Sequence, residues 1–173
     1  QRLYEPAHGH VVLNEQGVTA ADVDSQQLRR HLAVVSQHAT LFAGTIKENV
    51  LAGSADITDA ELVRAACAAC VHEFIAGLPE QYATRLGTIA TFSGGQMQRI
   101  EWARAFARKR AKIWLLDEPT SALDQATRDH VLSNLSQLTG TTAMIVTHDV
   151  QVMQRCDRIL LLDEGRIVAS GPW

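Results

Sequence analysis

Ile113-Trp114-Leu115-Leu116-Asp117-Glu118 is the stretch on which the fold turns. Four consecutive apolar residues suit a strand buried on both faces, and two carboxylates then emerge together at its C-terminal end. In open α/β sheets that edge is where ligands bind. Two more apolar runs follow, Met144-Ile145-Val146 and residues 159–162, and a helical pattern over about 126–138 separates the first two. Runs separated by helices predict a parallel sheet covered on both faces.

Toward the N-terminus, Leu32-Ala33-Val34-Val35 is another buried-strand candidate, led in by a short helix over 25–31 with Ser25 as its cap. Val11-Val12-Leu13 reads as a short strand and 14–17 as a turn. Residues 2–6 read as the last turn of a helix, which Pro6 and Gly9 stop. Thr58 and Glu61 form a capping box, behind which Leu62, Val63, Ala66, Cys67 and Cys70 share one helical face. A second helix is expected from Gly95 to about Arg108. The chain thus divides into two α/β segments, about 1–38 and 110–173, flanking a helical insert at 39–109.

Composition narrows the function classes. The 173 residues carry 16 Lys and Arg against 19 Asp and Glu, a formal charge of −3, and 46% are hydrophobic, enough for one globular domain with a core. There is no basic block of the kind that holds nucleic acid, and no apolar run approaches the ~18 residues of a bilayer span. Three cysteines are an odd number, which argues against a disulfide scaffold and for a reducing compartment. The chain starts at Gln1, and both ends read as cut from something longer.

Four elements carry chemistry. Asp117 suits a hydrated magnesium ion, which prefers oxygen ligands, and Glu118 can orient or deprotonate an attacking water. Alone, an Asp-Glu pair after a strand is more often a solvated loop. Phe92-Ser93-Gly94-Gly95-Gln96 opens a helix, so Ser93 and the first N–H groups can face phosphate oxygens; the plainer reading is an ordinary serine N-cap. Thr147-His148-Asp149 follows a strand directly, where a histidine can reach a γ-phosphate or a water. Gln37, just past Val35, can contact a metal or water through its amide. Each of the last two is weak evidence by itself.

Taken together they resemble a family. SGGQ at 93–96, LLDEPTSALD at 115–124, TH at 147–148 and VVSQ at 34–37 look like the ATP-binding cassette (ABC) domain, in that family's order. LFAGTIKENVLAG at 41–53, IAGLPEQY at 75–82 and DRILLLDEGRIVASG at 157–171 resemble its exporter branch, so the match covers essentially the whole chain. The resemblance implies a P-loop NTPase (RecA-like) α/β core with a helical subdomain, acting on ATP with Mg2+. It further implies that Asp117 holds magnesium through water, with Gln37 near the metal and reporting nucleotide state. Glu118 would be the catalytic carboxylate, and His148 would contact the γ-phosphate. Two cassettes would sandwich two ATP molecules head to tail. Ser93, Gly94, Gly95 and Gln96 would then serve the ATP held by the partner cassette, with Asp124 crossing the interface. A transmembrane domain at the cytoplasmic face of the membrane would be the other partner.

Three departures qualify the resemblance. No GxxxxGK[ST] occurs in the chain, and the family pattern places that loop about ten residues before Gln1. By itself the chain is therefore expected to bind ATP poorly. Gly87-Thr88-Ile89-Ala90-Thr91-Phe92 lacks the glutamate that exporters carry there and is one residue short. Glu101 stands where the signature helix normally has a small residue, so its carboxylate must face solvent, find a partner or cost a few kcal/mol as a buried charge. Cys67 and Cys70 have metal spacing but lie in an Ala-rich helix with no second ligand pair, which favours core packing. His8 and His10 read as an exposed edge, and Trp102 and Trp114 as core residues. The leading expectation is an exporter's nucleotide-binding domain. The alternatives are a non-hydrolysing remnant or half-site-donating partner and a soluble ABC-type ATPase. Compact spacing between Gln37 and Ser93 argues against the last, while the missing phosphate loop keeps the remnant open.

Overall fold

The computed structural model describes residues 2–52, 54, 56–86 and 92–173. The sequence departure at 87–91 lies outside the described residues, and only Phe92 of that stretch is placed, buried against the core. In chain order the elements are α1 (Ser25–Arg30), β1 (Leu32–Val35), β2 (Gly44–Thr45), α2 (Ile46–Leu51), α3 (Asp59–Ala68) and α4 (His72–Ala76). There follow β3 (Arg85–Leu86), α5 (Gly94–Phe106), β4 (Ile113–Asp117), α6 (Gln125–Ser136), β5 (Thr142–Val146), α7 (Val150–Met153), β6 (Ile159–Asp163) and β7 (Arg166–Gly171).

The apolar runs of β1, β4 and β5 form a parallel sheet in the order β1-β4-β5, with Val35 opposite Leu116 and Asp117 opposite Val146. Parallel pairing requires long crossovers. The β1-to-β4 crossover carries α2 to α5, and the β4-to-β5 crossover carries α6. Each long helix starts with a side-chain cap that satisfies otherwise orphaned N–H groups: Thr58 with Glu61 on α3, Ser93 with Gln96 on α5, Asp124 on α6. One apolar cluster runs from the sheet (Val35, Trp114, Leu116) through α5 (Ile100, Trp102) to α2 and α3 (Ile46, Val50, Leu62). Trp102 stacks on Phe106, and Trp114 meets both rings at a tilt, with ring centroids 5.4–6.3 Å apart. As expected of core residues, Trp102 and Trp114 are both buried.

Several expectations are corrected. Residues 2–6 form bends rather than a helical turn; Arg2 takes φ 50° and donates to the Val23 carbonyl and the Glu5 carboxylate. Val12 makes a single bridge to Thr19 across the turn at 14–17 instead of forming a strand. The cap of α1 is Asp24, whose carboxylate accepts the N–H groups of Gln26 and Gln27, so the helix begins at Ser25, one residue earlier than a Ser25 cap would place it. On α3 the packed face is Leu62, Ala65 and Ala66, while Cys67 is exposed. The third apolar run leaves the parallel sheet altogether. Its strand β6 pairs with β7 as an antiparallel hairpin around Glu164-Gly165, whose φ values of 44° and 76° match the two left-handed positions of a tight primed turn. Leu161 and Leu162 are 57% and 63% exposed there, and Met144 and Val146 of β5 are also exposed, so not every run is covered.

Candidate functional site

Because β1, β4 and β5 run parallel, the residues that follow them emerge at one edge of the sheet: Gln37 after β1, Asp117 and Glu118 at the end of β4, and His148 after β5. Gln37 and Asp117 are exposed at that edge.

Glu118 is held in an unusual conformation. Its φ is 43°, in the left-handed region that costs a non-glycine residue ~1–2 kcal/mol. The backbone is pinned there by its N–H, which donates to the Val146 carbonyl at 2.9 Å, and by its carbonyl, which accepts from the Gln98 side chain at 3.2 Å. The turn directs the carboxylate to His148. Oε1 of Glu118 lies 2.7 Å from the ring Nδ1 of His148 and accepts the His148 backbone N–H at 3.1 Å. An ionised carboxylate can only accept, so this contact calls for the hydrogen on Nδ1 of a ring that is largely exposed. The next residue, Asp149, caps α7 and pairs with Arg128 of α6 at 2.6 Å, which fixes the backbone beneath His148.

At the start of α5, Ser93 and Gln96 close a reciprocal capping box on their own helix. Gly95 has a separate structural task. A Cβ at that position would stand 2.6 Å from the Ala122 carbonyl oxygen, so only glycine lets α5 approach the 118–124 loop this closely, whereas Gly94 has ordinary room. Asp124, beyond that loop, accepts from the N–H and hydroxyl of Thr127, and the backbone bond above all holds its carboxyl below the usual range.

Two residues of α5 tie these parts together: Gln98, which sequence reasoning passed over, and Trp102, which it read only as core. Gln98, buried on α5, donates to the Glu118 carbonyl and the Ser121 hydroxyl and accepts the Ala122 N–H. Trp102 donates its indole N–H to the Pro119 carbonyl at 2.8 Å. Gly95, Gln98 and Trp102 recur at i, i+3 and i+7. Helical periodicity already places them on one face; what that face meets is a tertiary matter.

Glu101 is buried rather than solvated. Its carboxylate accepts the backbone N–H of Ser36 at 3.1 Å and of Thr40 at 3.5 Å. Burial pushes its carboxyl up, opposed by those hydrogen bonds and by the attraction of Arg104.

The donor set at the sheet edge fits magnesium, which takes one or two carboxylates and completes its shell with water and phosphate oxygens. Among the described residues no three or more His, Cys, Asp or Glu are grouped to hold a metal, Cys67 and Cys70 included. No helix among them is long and apolar enough to cross a membrane.

Comparison with known proteins bears on the family and the fold. The ABC transporter family model matches residues 1–121. ABC transporter B family member 15 of Arabidopsis thaliana is 42% identical over 99% of this chain, and ATP-binding cassette sub-family B member 5 of Homo sapiens is 43% identical over 99%. The chain spans 14% of the length of each of these relatives. A solved bacterial Atm1-family ABC exporter with ATP bound superposes with a TM-score of 0.90 at 34% identity, covering 99% of this chain and 30% of the exporter chain.

Proposed function

The chain belongs to the ABC transporter family, and on that premise we propose that it forms the hydrolytic part of the nucleotide-binding domain of a membrane exporter. In this reading segments 1–38 and 110–173 make the RecA-like core and 39–109 the helical subdomain. The observation that carries it is the Glu118–His148 pair, set beside Asp117 and Gln37 at the C-terminal edge of the parallel sheet. Glu118 orients the attacking water and takes its proton, while Nε2 of His148 is left to meet a terminal phosphate oxygen.

Asp117, through water, and Gln37 would hold a magnesium ion, whose charge offsets that of the phosphates. Ser93, Gly94, Gly95 and Gln96 would face the ATP of a second cassette, with Asp124 at the seam between the two. A transmembrane domain at the cytoplasmic face of the membrane would receive the work. No GxxxxGK[ST] lies within residues 1–173, so the residues read here are those of the hydrolytic edge.

The deciding experiment is ATP hydrolysis by the intact protein carrying Glu118→Gln. Loss of one preorganised group costs ~10²–10³ in rate, so turnover nearly stops while nucleotide binding persists. A variant that hydrolyses ATP at the parent rate would remove Glu118 from this role.

A further inference from the structure

Resting on the reading of Gln37 as a nucleotide-contacting residue, we propose that Glu101 is its positioning residue: a buried carboxylate that clamps the backbone on both sides of Gln37. Gln37 sits on an exposed loop immediately after β1, where nothing in the local sequence would hold it still. Glu101 reaches it from α5, more than sixty residues later in the chain. Its two oxygens divide the work, Oε2 accepting the Ser36 N–H and Oε1 the Thr40 N–H, so one rigid group brackets residues 37–39.

The clamp has a second layer. Arg104, one turn further along α5, donates to the Thr40 carbonyl at 2.8 Å and to the carbonyl and side-chain oxygen of Asn49. Asn49, fully buried on α2, accepts the Phe42 N–H and donates to the Phe42 carbonyl. From Ser36 to Phe42 the loop is thus tied at three residues to two helices of the 39–109 segment, while its first residue continues a strand of the sheet.

A buried carboxylate is costly unless its oxygens are satisfied, and charge-assisted bonds to backbone N–H are among the stronger hydrogen bonds. Glu101 lines a cavity of about 370 Å³ together with Ser36, Thr40, Phe42, Arg104 and Arg108, so a smaller side chain would leave both loop amides facing an open space. The consequence is that motion of α5 is transmitted to the loop bearing Gln37 through Glu101, which alone reaches both sides of it, and through Arg104 at Thr40.

The test is a double-mutant cycle on ATP hydrolysis by the intact protein, comparing the parent, Gln37→Ala, Glu101→Gln and the double variant, with kcat, KM for ATP and the thermal midpoint read for each. Misplacing a contacting group by about 1 Å can cost up to ~10²-fold in rate, so Glu101→Gln is expected to lower kcat roughly tenfold or more with KM changed by less than about twofold. In the Gln37→Ala background the same substitution should have almost no further effect on kcat. An equal loss of kcat in both backgrounds, or none in the parent, overturns the inference. A Gln37→Ala protein that turns over at the parent rate instead overturns the underlying reading of Gln37. Should Glu101→Gln fail to fold, Glu101→Ala, which removes the buried charge along with the clamp, is read in the same cycle.

Discussion

The Glu118 carboxylate meets His148 twice, at the ring Nδ1 (2.7 Å) and at the backbone N–H (3.1 Å), through a single oxygen. The two residues are thirty positions apart, yet the parallel register of β4 and β5 sets them side by side. The arrangement orients the imidazole and leaves the second carboxylate oxygen for another partner. It also makes the pair one functional unit, whose parts should not contribute independently.

That coupling predicts kinetics. In the intact protein His148→Ala should lower ATP turnover by ~10²-fold or more, and adding it to Glu118→Gln should cost little beyond the glutamate substitution alone, because groups acting as a unit are not additive. Rates that multiply in the double variant would show that the two residues act separately.

The left-handed backbone at Glu118 predicts a trade between stability and activity. Glu118→Gly and Glu118→Ala both lose the carboxylate, but only glycine adopts φ 43° without penalty. The glycine variant should therefore be more stable than the alanine variant by ~1 kcal/mol, read as a higher thermal midpoint. Equal midpoints would mean that the turn relaxes when the side chain is lost.

Gly95 and Gly94 should behave differently although they are neighbours. Gly95→Ala drives a methyl to 2.6 Å from the Ala122 carbonyl oxygen and must displace the loop that begins at Glu118. The expected cost is ~1–3 kcal/mol with a parallel loss of turnover. Gly94→Ala meets only ordinary contact at 3.8 Å, and its thermal midpoint should stay within experimental scatter of the parent's.

Gln98→Leu keeps the volume of a buried side chain and removes its bonds to the Glu118 carbonyl and the Ala122 N–H. A loss of about 1–2 kcal/mol is expected in thermal unfolding, together with lower kcat, because the backbone of Glu118 loses its only anchor to α5 and keeps those to Val146 and Ser121. Parent-like values of both would show that the bonds to the Val146 carbonyl and from the Ser121 N–H suffice.

Glu61 predicts a signature in acid. The Lys109 ammonium, followed by the backbone and hydroxyl of Thr58, lowers its carboxyl from 4.5 to about 2. A folded pKa below the unfolded one adds stability that is present above about 4.5 and lost as the pH falls toward 2. The gap in thermal midpoint between the parent and Glu61→Gln should be constant above that range, close within it and shrink with added salt, since the pair is partly exposed. A gap that widens in acid would contradict the assignment.

The strands β1 and β4, the helices α3, α5 and α6, the capping box at Thr58 and the serine cap at Ser93 were all legible in the sequence. Each is encoded within a few residues, by a continuous apolar run or by a side chain that reaches an N–H three positions away. The order of the catalytic-type residues was legible for the same reason, since each follows its own strand. Pairings between distant segments were not. That the run at 159–162 turns back on itself, that Cys67 faces outward, that Gln98 anchors Glu118 and that Glu101 finds the amides of Ser36 and Thr40 all depend on which surfaces meet once the chain is packed. Periodicity states which face of an element is apolar or polar. Only the simultaneous packing of sheet and helices decides what that face touches, and here that decision turns a carboxylate at Glu101 from an unpaired buried charge into a clamp on the loop bearing Gln37.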